Sequence, residues 1–104
     1  MIRGTVSVYT SRARILIDTG ASHSFISYAL CKTLGLRLDR LPEPLEVSTL
    51  VCGLAVLKEI CRNCDLEIAG HKLNFDFILL RMTNFDIIIG MDWLMEYLAY
   101  IDCY

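Results

Sequence analysis

The segment formed by residues 16–22 places one carboxylate at the end of an apolar run and immediately before a glycine turn. The preceding residues, 12–17, alternate in the manner of a half-buried strand and become apolar on both faces near the end. Asp18 therefore stands where a strand carries a side chain inward, and a carboxylate there loses hydration unless it is partnered. Gly20 allows the chain to turn closely around it. The rest of the chain must hold, cover or duplicate this carboxylate.

The chain is short and strongly apolar. Its 104 residues fit a single domain, residues 1–104, and a domain near this size buries roughly two-thirds of the surface of its unfolded chain. Hydrophobic residues nevertheless make up 55% of the sequence. Part of this apolar surface must lie outside the core or in an interface, so we predict that the chain associates with a partner.

Charge and hydropathy exclude several functions. The net charge is −2 and there is no basic cluster, so the chain lacks the electrostatic footprint of a nucleic-acid-binding protein. No apolar run approaches the roughly 18 residues of a membrane-spanning helix. The first residues lack the pattern of a signal peptide. These features predict a cytoplasmic protein that binds neither nucleic acid nor membrane.

The five cysteines are an odd number in a chain with no secretory signal, which predicts reduced thiols. Cys61 and Cys64 form a CxxC pair, which could be half of a zinc site or a redox pair. A structural zinc needs four ligands, and the other cysteines and histidines offer no second pair at ligand spacing. We therefore interpret the cysteines as small buried or half-buried residues and predict no metal site.

A helix is predicted after the glycine turn. Apolar residues recur at helical spacing between residues 22 and 34. Ser22 or Ser24 could cap its start, and Gly35 suits its end. This helix is expected to contribute packing rather than chemistry.

A glycine-tipped hairpin is predicted after residues 42–44, a stiff connector with two prolines. Residues 45–51 and 54–60 are strand-like runs, and Gly53 between them can supply the positive φ of a tight turn. The hairpin could be an ordinary part of the core or a cover that closes over a ligand. Alternation and turn residues predict further strands at 5–10, 12–17, 65–68, 72–80, 85–89 and 99–103, a turn at 11–12, and a helix at 91–98.

A half-repeat is visible in the sequence. A strand, a glycine and a short helix occur in order around Asp18 and Gly20, and again at residues 87–90 with the helix at 91–98. The second unit lacks the Asp-Thr pair. We expect one unit to carry chemistry and the other to carry only scaffold.

Asp-Thr-Gly alone is a weak pattern, but its surroundings here are specific. Asp-Thr-Gly-Ala follows an apolar strand, and Ser-Phe-Ile-Ser, a glycine-tipped hairpin and Ile-Ile-Gly with a helix come after it. With these features the chain resembles a retropepsin-like aspartic protease, and more narrowly the protease domain of plant gypsy-type LTR retrotransposon polyproteins. The resemblance spans nearly the whole chain and is carried by residues 16–26, 61–64, 85–94 and 101–103.

The resemblance implies a mainly β, retropepsin-like (acid protease) fold: a closed β-barrel half with one or two short helices, one lobe per chain, assembling as a two-fold dimer. Hydrolysis by two carboxylates needs one base and one acid, and two close aspartates provide them because both cannot ionise together. This chain has one Asp-Thr-Gly, so the second aspartate must come from another copy. The implied activity is that of an aspartic endopeptidase that processes a retroelement Gag-Pol polyprotein, without a cofactor, in the cytoplasm or within virus-like particles.

The resemblance also assigns roles to individual residues. Asp18 is the catalytic carboxylate, Thr19 braces the two loops across the two-fold axis, and Gly20 lets the backbone approach substrate. Ala21 stands where pepsin-like enzymes carry a hydroxyl, which implies a pH optimum nearer neutrality. Residues 45–60 correspond to the flap over the site. The remaining assignments are tentative substrate contacts at Ser22, Leu50, Val51, Cys52 and Gly53, and scaffold beneath the loop at Ile88, Ile89 and Gly90.

Other polar residues have structural interpretations. His23 could tune the site or bind substrate, but a surface or helix-start histidine is more common. Glu67 and Asp76 lie on polar strand faces, where we expect them to be solvated. Asp86 is expected to pair locally, and Asp92 to cap the final helix or brace the loops.

Two other interpretations of the chain stay open. A catalytically silent retropepsin-like module could dimerise or bind peptides without cutting, and an ordinary β-rich domain could use Asp18 to cap a helix start. The intact Asp18-Thr19-Gly20 favours the enzyme over the silent module. The second strand-glycine-helix unit has no explanation in the ordinary domain.

Overall fold

The computed structural model describes residues 2–8, 11–49, 53–68 and 71–102, and side chains within 13–49, 53–65 and 74–97. Strands dominate these residues, and two helices accompany them. The strands are β1 (Ile2–Val8), β2 (Ser11–Ile17), β3 (Phe25–Ser27), β4 (Leu38–Thr49), β5 (Gly53–Ile68), β6 (His71–Leu80) and β7 (Ile87–Ile89), and the helices are α1 (Tyr28–Leu34) and α2 (Met91–Asp102).

The described strands form one sheet in the order β1-β2-β7-β3-β6-β5-β4. The sheet curls toward closure, because β1 also pairs with β5 where Ser7 lies opposite Glu67. Most neighbours are antiparallel, but β2 pairs with β7, and β3 with β6, in parallel. The mainly β, barrel-like fold predicted from the sequence is confirmed.

The two units of the half-repeat lie side by side in this sheet. β2 and β7 are parallel, with Leu16 opposite Ile88 and Ile17 opposite Ile89. The carboxyl ends of parallel neighbours lie at the same edge of a sheet. The turn after β2, which carries Asp18, therefore meets the turn after β7.

The segment after the glycine turn differs from its prediction. The sequence predicts a helix over residues 22–34, but the structure has the strand Phe25–Ser27 and a helix that begins only at Tyr28. This strand pairs with β6 on one side and with β7 on the other, and all three of its residues are buried. A short run buried on every side has no period that separates strand from helix. Pairing with strands distant in sequence decided the outcome.

The cap of α1 follows from that correction. Ser27, rather than Ser22 or Ser24, is the N-cap, and its hydroxyl accepts a hydrogen bond from the Leu30 amide at 3.0 Å. The predicted end is confirmed, because Gly35 adopts a left-handed conformation at φ +65° and closes the helix.

The central hairpin exists but is longer than predicted, since its strands span Leu38–Thr49 and Gly53–Ile68. Gly53 has φ +66°, as the turn prediction required, and lies opposite Thr49. Residues 50–52, which hold the end of the first predicted run and the residue before Gly53, lie outside the described residues.

Residues 42–44 do not form a separate connector, because they lie within β4. The pairing of β4 with β5 shifts register between Arg40 and Leu45. Proline donates no backbone hydrogen bond and is tolerated in strands at such irregularities. The two prolines therefore interrupt the ladder without ending the strand.

Two other predicted element boundaries differ from the structure. The turn predicted at 11–12 is wrong, because β2 begins at Ser11. The strand predicted over 99–103 is also wrong, because α2 runs from Met91 to Asp102, and Cys103 lies outside the described residues. No glycine or proline stops the helix before its end, and a short apolar run fits either state.

Two apolar clusters make up the described core. Leu16 and Ile88 belong to one cluster, whereas Ile15 and Ile87 belong to the other. Adjacent residues of a strand point to opposite faces, so β2 and β7 are buried on both faces. This two-sided burial explains why both strands read as continuous apolar runs.

Three cysteines, Cys31, Cys61 and Cys64, are buried and unpaired, as the interpretation of small buried residues requires; the other two lie outside the described residues. The pairing of β5 with β6 shifts register between Cys61 and Cys64, where Asn63 has φ +56°. Burial raises the pKa of the Cys31 thiol to about 11. A hydrogen bond with Cys64 and then burial raise the pKa of Cys61. The Cys31 and Cys61 thiols are therefore protonated and poor nucleophiles at neutral pH.

We predict that the free energy of unfolding falls as the pH rises above 9. In the unfolded chain Cys31 loses its proton near its ordinary pKa of 9.0, whereas the folded protein retains it until about pH 11. The stability from the protonated, buried thiol is therefore complete below pH 9 and is lost as the pH rises through 11. Urea unfolding at pH 8, 9 and 10.5 measures this decline.

A Cys31→Ala variant provides the control, because its stability should depend less steeply on pH over the same interval. Equal slopes for the two proteins would show that Cys31 does not titrate as its burial requires. In the native protein Cys31, Cys61 and Cys64 should also react slowly with a thiol reagent at pH 8, because all three are buried.

Candidate active site

Asp18 is held at the end of β2 by backbone hydrogen bonds on both sides. Its amide donates to the carbonyl of Ile89 at 2.9 Å, which extends the pairing of β2 with β7 by one residue. Its carbonyl accepts from the Ala21 amide at 3.1 Å and closes a tight turn. The residue as a whole is 6% exposed. The fold therefore fixes the main chain of Asp18 and leaves its carboxylate at the edge of the interior.

The glycine turn is built around this carboxylate. The Gly20 amide donates to Asp18 Oδ1 at 2.9 Å, and a Cβ at position 20 would lie 3.2 Å from the same oxygen. Any side chain there would crowd the carboxylate. Thr19 and Gly20 are both exposed at this edge.

The end of β7 lies directly against the Asp18 turn. A Cβ on Gly90 would lie 2.1 Å from the carbonyl oxygen of His23 and 2.9 Å from that of Ala21. The Met91 amide donates to the same Ala21 carbonyl at 2.8 Å. Only glycine permits backbones to approach this closely. The segment from Ile88 to Gly90, predicted as scaffold beneath the loop, thus lies against the turn.

The hairpin shares an apolar cluster with the site. Val47 and Leu57, from its two strands, belong to the same buried cluster as Leu16 and Ala21. The two strands of the hairpin and the Asp18 turn are therefore joined by one apolar cluster. Of the residues predicted to contact substrate, Gly53 and Ser22 are exposed, and Leu50, Val51 and Cys52 lie outside the described residues.

Ser22 and His23 form a local pair at the surface of the turn. The Ser22 hydroxyl lies 2.8 Å from His23 Nδ1. His23 makes no hydrogen bond with Asp18 among the interactions of the described residues. The structure therefore gives His23 a contact with its neighbour, in line with the structural interpretation.

Asp86 and Asp76 have hydrogen-bond and ion-pair partners away from the Asp18 turn. Asp86 accepts from the backbone amide of Arg14 at 2.7 Å and lies 3.4 Å from its Nε. The expected local pair is thus wrong, because the partner is distant in sequence and joins β2 to the segment before β7. Asp76 accepts from the Asn63 amide at 2.8 Å and lies 3.5 Å from Arg62. It is paired as well as exposed; the side chain of Glu67 lies outside the described part.

The sequence did not identify Ser24 as a residue of the site. Ser24 is completely buried, its hydroxyl donates to Asp92 Oδ1 at 2.7 Å, and it accepts from the Gly90 amide at 2.8 Å. Asp92, expected to cap or brace, does contact the loop. The signal that could have found the pair is a serine following the Asp-Thr-Gly turn and an aspartate following the second glycine, both polar among apolar residues.

The described residues contain no group of three or more His, Cys, Asp or Glu side chains arranged to hold a metal ion. Within the same ranges, no helix has the length and apolar character needed to cross a membrane.

In the described part of the chain the carboxylate of Asp18 is hydrogen-bonded by a backbone amide, and no second carboxylate shares it. The described part of the chain therefore presents one carboxylate at this turn, whereas an aspartic protease divides a proton between two.

Comparison with known proteins identifies a matching family and similar structures. A model of the family described as retroviral aspartyl protease matches residues 1–104. The retroviral protease-like domain of Ddi1 from Leishmania major has a similar structure, with a TM-score of 0.68 and 20% identity over 94% of this chain and 73% of that chain. The EIAV protease in complex with the inhibitor HBY-793 gives a TM-score of 0.70 and 18% identity over 91% of this chain and 86% of that chain. No curated protein matches.

We predict that Gly90→Ala destabilises the protein by about 3 kcal/mol, because the added methyl meets backbone atoms that cannot move aside independently. The matched control is Gly35→Ala, where a Cβ meets nothing within 4 Å but φ is +65°. That strain costs about 1–2 kcal/mol. Urea unfolding of both variants compares the two losses, and a Gly90→Ala loss no larger than the control would contradict the close packing of the two turns.

Proposed function

Because this chain belongs to the retroviral aspartyl protease family, we propose that it is an aspartic endopeptidase that acts as a homodimer with one Asp18 from each copy. The observation that carries the proposal is the Asp18 turn, in which the Gly20 amide holds a carboxylate at the edge of the interior. Each chain has one such turn. Two copies related by a two-fold axis would bring the two carboxylates together.

In this dimer the two Asp18 carboxylates share a single proton, because two such charges cannot both persist at close range. The ionised carboxylate removes a proton from a water as it attacks the scissile carbonyl, and the protonated one donates to the carbonyl oxygen, which gives a tetrahedral diol. The newly protonated carboxyl then donates its proton to the amide nitrogen as the C–N bond breaks, and the other carboxylate takes a proton from one hydroxyl as the carbonyl forms again. The proton pattern belongs to the pair rather than to either copy. Exposed Thr19 is suited to brace the two turns across the axis.

We assign the substrate class from the sequence resemblance. The segments around Asp18 and Gly90 resemble the protease domains of plant gypsy-type LTR retrotransposons, so the proposed substrate is a retroelement Gag-Pol polyprotein. The proposal treats residues 1–104 as one domain, requires no cofactor, and places the reaction in the cytoplasm or within virus-like particles. The apolar residues of the hairpin favour substrates with apolar side chains.

A silent module is the second candidate. One similar structure is the retroviral protease-like domain of Ddi1 from Leishmania major, so folds of this kind also occur in other proteins. Such a module would dimerise or bind peptides without hydrolysis. The complete Asp18-Thr19-Gly20 triplet favours the enzyme, because a non-catalytic module has no need of a carboxylate at this position.

We predict that Asp18→Asn abolishes peptide cleavage, lowering the rate by at least about 10²–10⁴-fold through loss of acid–base catalysis. Wild-type protein at micromolar concentration should cleave members of a peptide library, and pepstatin should inhibit it. Asp65→Asn is the matched control, because Asp65 is exposed and its Oδ1 accepts from Asn74, a bond that asparagine can also accept.

Sedimentation of the same samples distinguishes an inactive monomer from an inactive dimer. Specific activity should rise with protein concentration until the dimer is saturated. A wild-type dimer that cleaves nothing would overturn the enzyme and leave the silent module. Equal activity of wild type and Asp18→Asn would remove Asp18 from the mechanism.

We predict a pH–rate profile that peaks nearer neutrality than that of pepsin, whose pair works with apparent pKa values of about 1.5 and 4.7. Ala21 is buried beside the turn and has no hydroxyl to stabilise an ionised carboxylate. Introducing one in Ala21→Ser should move the acidic limb of the profile to lower pH. A wild-type optimum below about pH 3, or an alkaline shift in the variant, would contradict this explanation.

A further inference from the structure

The Ser24 side chain links the Asp18 turn to the start of α2, and its backbone makes further hydrogen bonds. Its hydroxyl donates to Asp92 Oδ1 at 2.7 Å and accepts from the Gly90 amide at 2.8 Å. Its backbone amide faces Asp92 Oδ2 at 3.3 Å, and its carbonyl accepts from the Ile78 amide at 3.0 Å. Since Ser24 is completely buried, no water can replace these partners without rearrangement.

Asp92 receives more donors than a helix cap requires. Besides the two contacts with Ser24, its Oδ1 accepts from the Trp93 amide at 2.7 Å. It lies in the first turn of α2, where the helix dipole favours a negative charge. A half-buried carboxylate is stable here because three donors and the helix end replace its hydration.

The peptide group between Ile89 and Gly90 connects this pair to Asp18. Its carbonyl accepts from the Asp18 amide at 2.9 Å, and its N–H donates to the Ser24 hydroxyl at 2.8 Å. A peptide group is planar and rigid, so a shift on one side is transmitted to the other. The bonds form a chain in which every donor points away from Asp18 and the last acceptor is the Asp92 carboxylate.

We propose that Ser24 and Asp92 are positioning residues that orient Asp18 through this hydrogen-bonded chain. Bonds aligned in one direction polarise one another, and a charged terminal acceptor strengthens the series. The hydrogen-bonded chain fixes the Ile89–Gly90 peptide. That peptide in turn fixes the backbone from which the Asp18 carboxylate projects. The catalytic consequence rests on the proposed function, whereas the structural consequence does not.

The chemistry explains why position 92 carries an acid. Asparagine has the same shape but offers one oxygen, and its amino group would face a donor on Ser24. Alanine at position 24 would leave the buried Gly90 amide without its partner. Both changes keep the apolar packing and remove a link of the chain.

The experiment compares Asp92→Asn and Ser24→Ala with wild type in the dimer. The control is Glu96→Gln, an exposed neutralisation one turn further along α2. We expect Asp92→Asn to lower kcat by roughly tenfold to a hundredfold with KM within about twofold, since small displacements of a reacting group have effects of this size. The control should match wild type.

The combined variant tests whether the two residues act as one unit. If they do, Ser24→Ala together with Asp92→Asn should lower kcat little more than the larger single effect. Multiplicative losses would overturn the proposal. So would an Asp92→Asn loss that follows the unfolded fraction measured by thermal denaturation, or that appears in KM rather than in kcat.

Amide hydrogen exchange supplies a readout independent of cleavage. In folded Asp92→Asn the amides of Asp18 and Gly90 should exchange at least about tenfold faster than in wild type and in Glu96→Gln. Unchanged exchange would overturn the positioning chain even in an active enzyme. If wild type cleaves no peptide but the exchange changes as expected, the proposed function fails and the chain stands as a structural element of the turn.

Discussion

The structure depends on the parallel pairing of β2 with β7, which the bond from the Asp18 amide to the Ile89 carbonyl carries one residue beyond the strands. This pairing brings two segments that are about seventy residues apart into backbone contact. It requires Gly90 at the contact, because no side chain fits between the two turns. The position of the carboxylate is therefore a consequence of sheet geometry rather than of the turn alone.

Under the proposed function, one chain supplies only one of the two catalytic carboxylates. The Gly20 amide donates to the Asp18 carboxylate, and the Ile89 carbonyl accepts from the Asp18 amide. Thr19 and Gly20 lie at the exposed edge of the turn. A protease that divides acid and base roles between two carboxylates needs a second such edge. The apolar excess of the sequence agrees with the proposed association of two copies.

Two pairs of polar residues connect segments at the two ends of the β2–β7 pairing. Asp86 with Arg14 joins the start of β7 to β2 at one end of the pairing, whereas Asp92 with Ser24 joins the other end to the Asp18 turn. Both are contacts between residues far apart in sequence. Charge patterns along the chain indicate which face a residue lies on, but not which distant residue meets it. This is why the partner of Asp86 was predicted wrongly and Ser24 was missed.

The sequence by itself determined the mainly β fold, the glycine-tipped hairpin, the helix end at Gly35 and the turn around Asp18, because alternation and glycine chemistry act over a few residues. Only the tertiary structure decided that Phe25–Ser27 is a strand, that α2 continues to Asp102 and that Ser24 lies between Gly90 and Asp92. A short run buried on all sides has no distinguishing period, so its state is set by the strands that flank it. The sequence alone identifies Asp18 as the candidate carboxylate, whereas the pairing of β2 with β7 in the folded sheet sets its orientation.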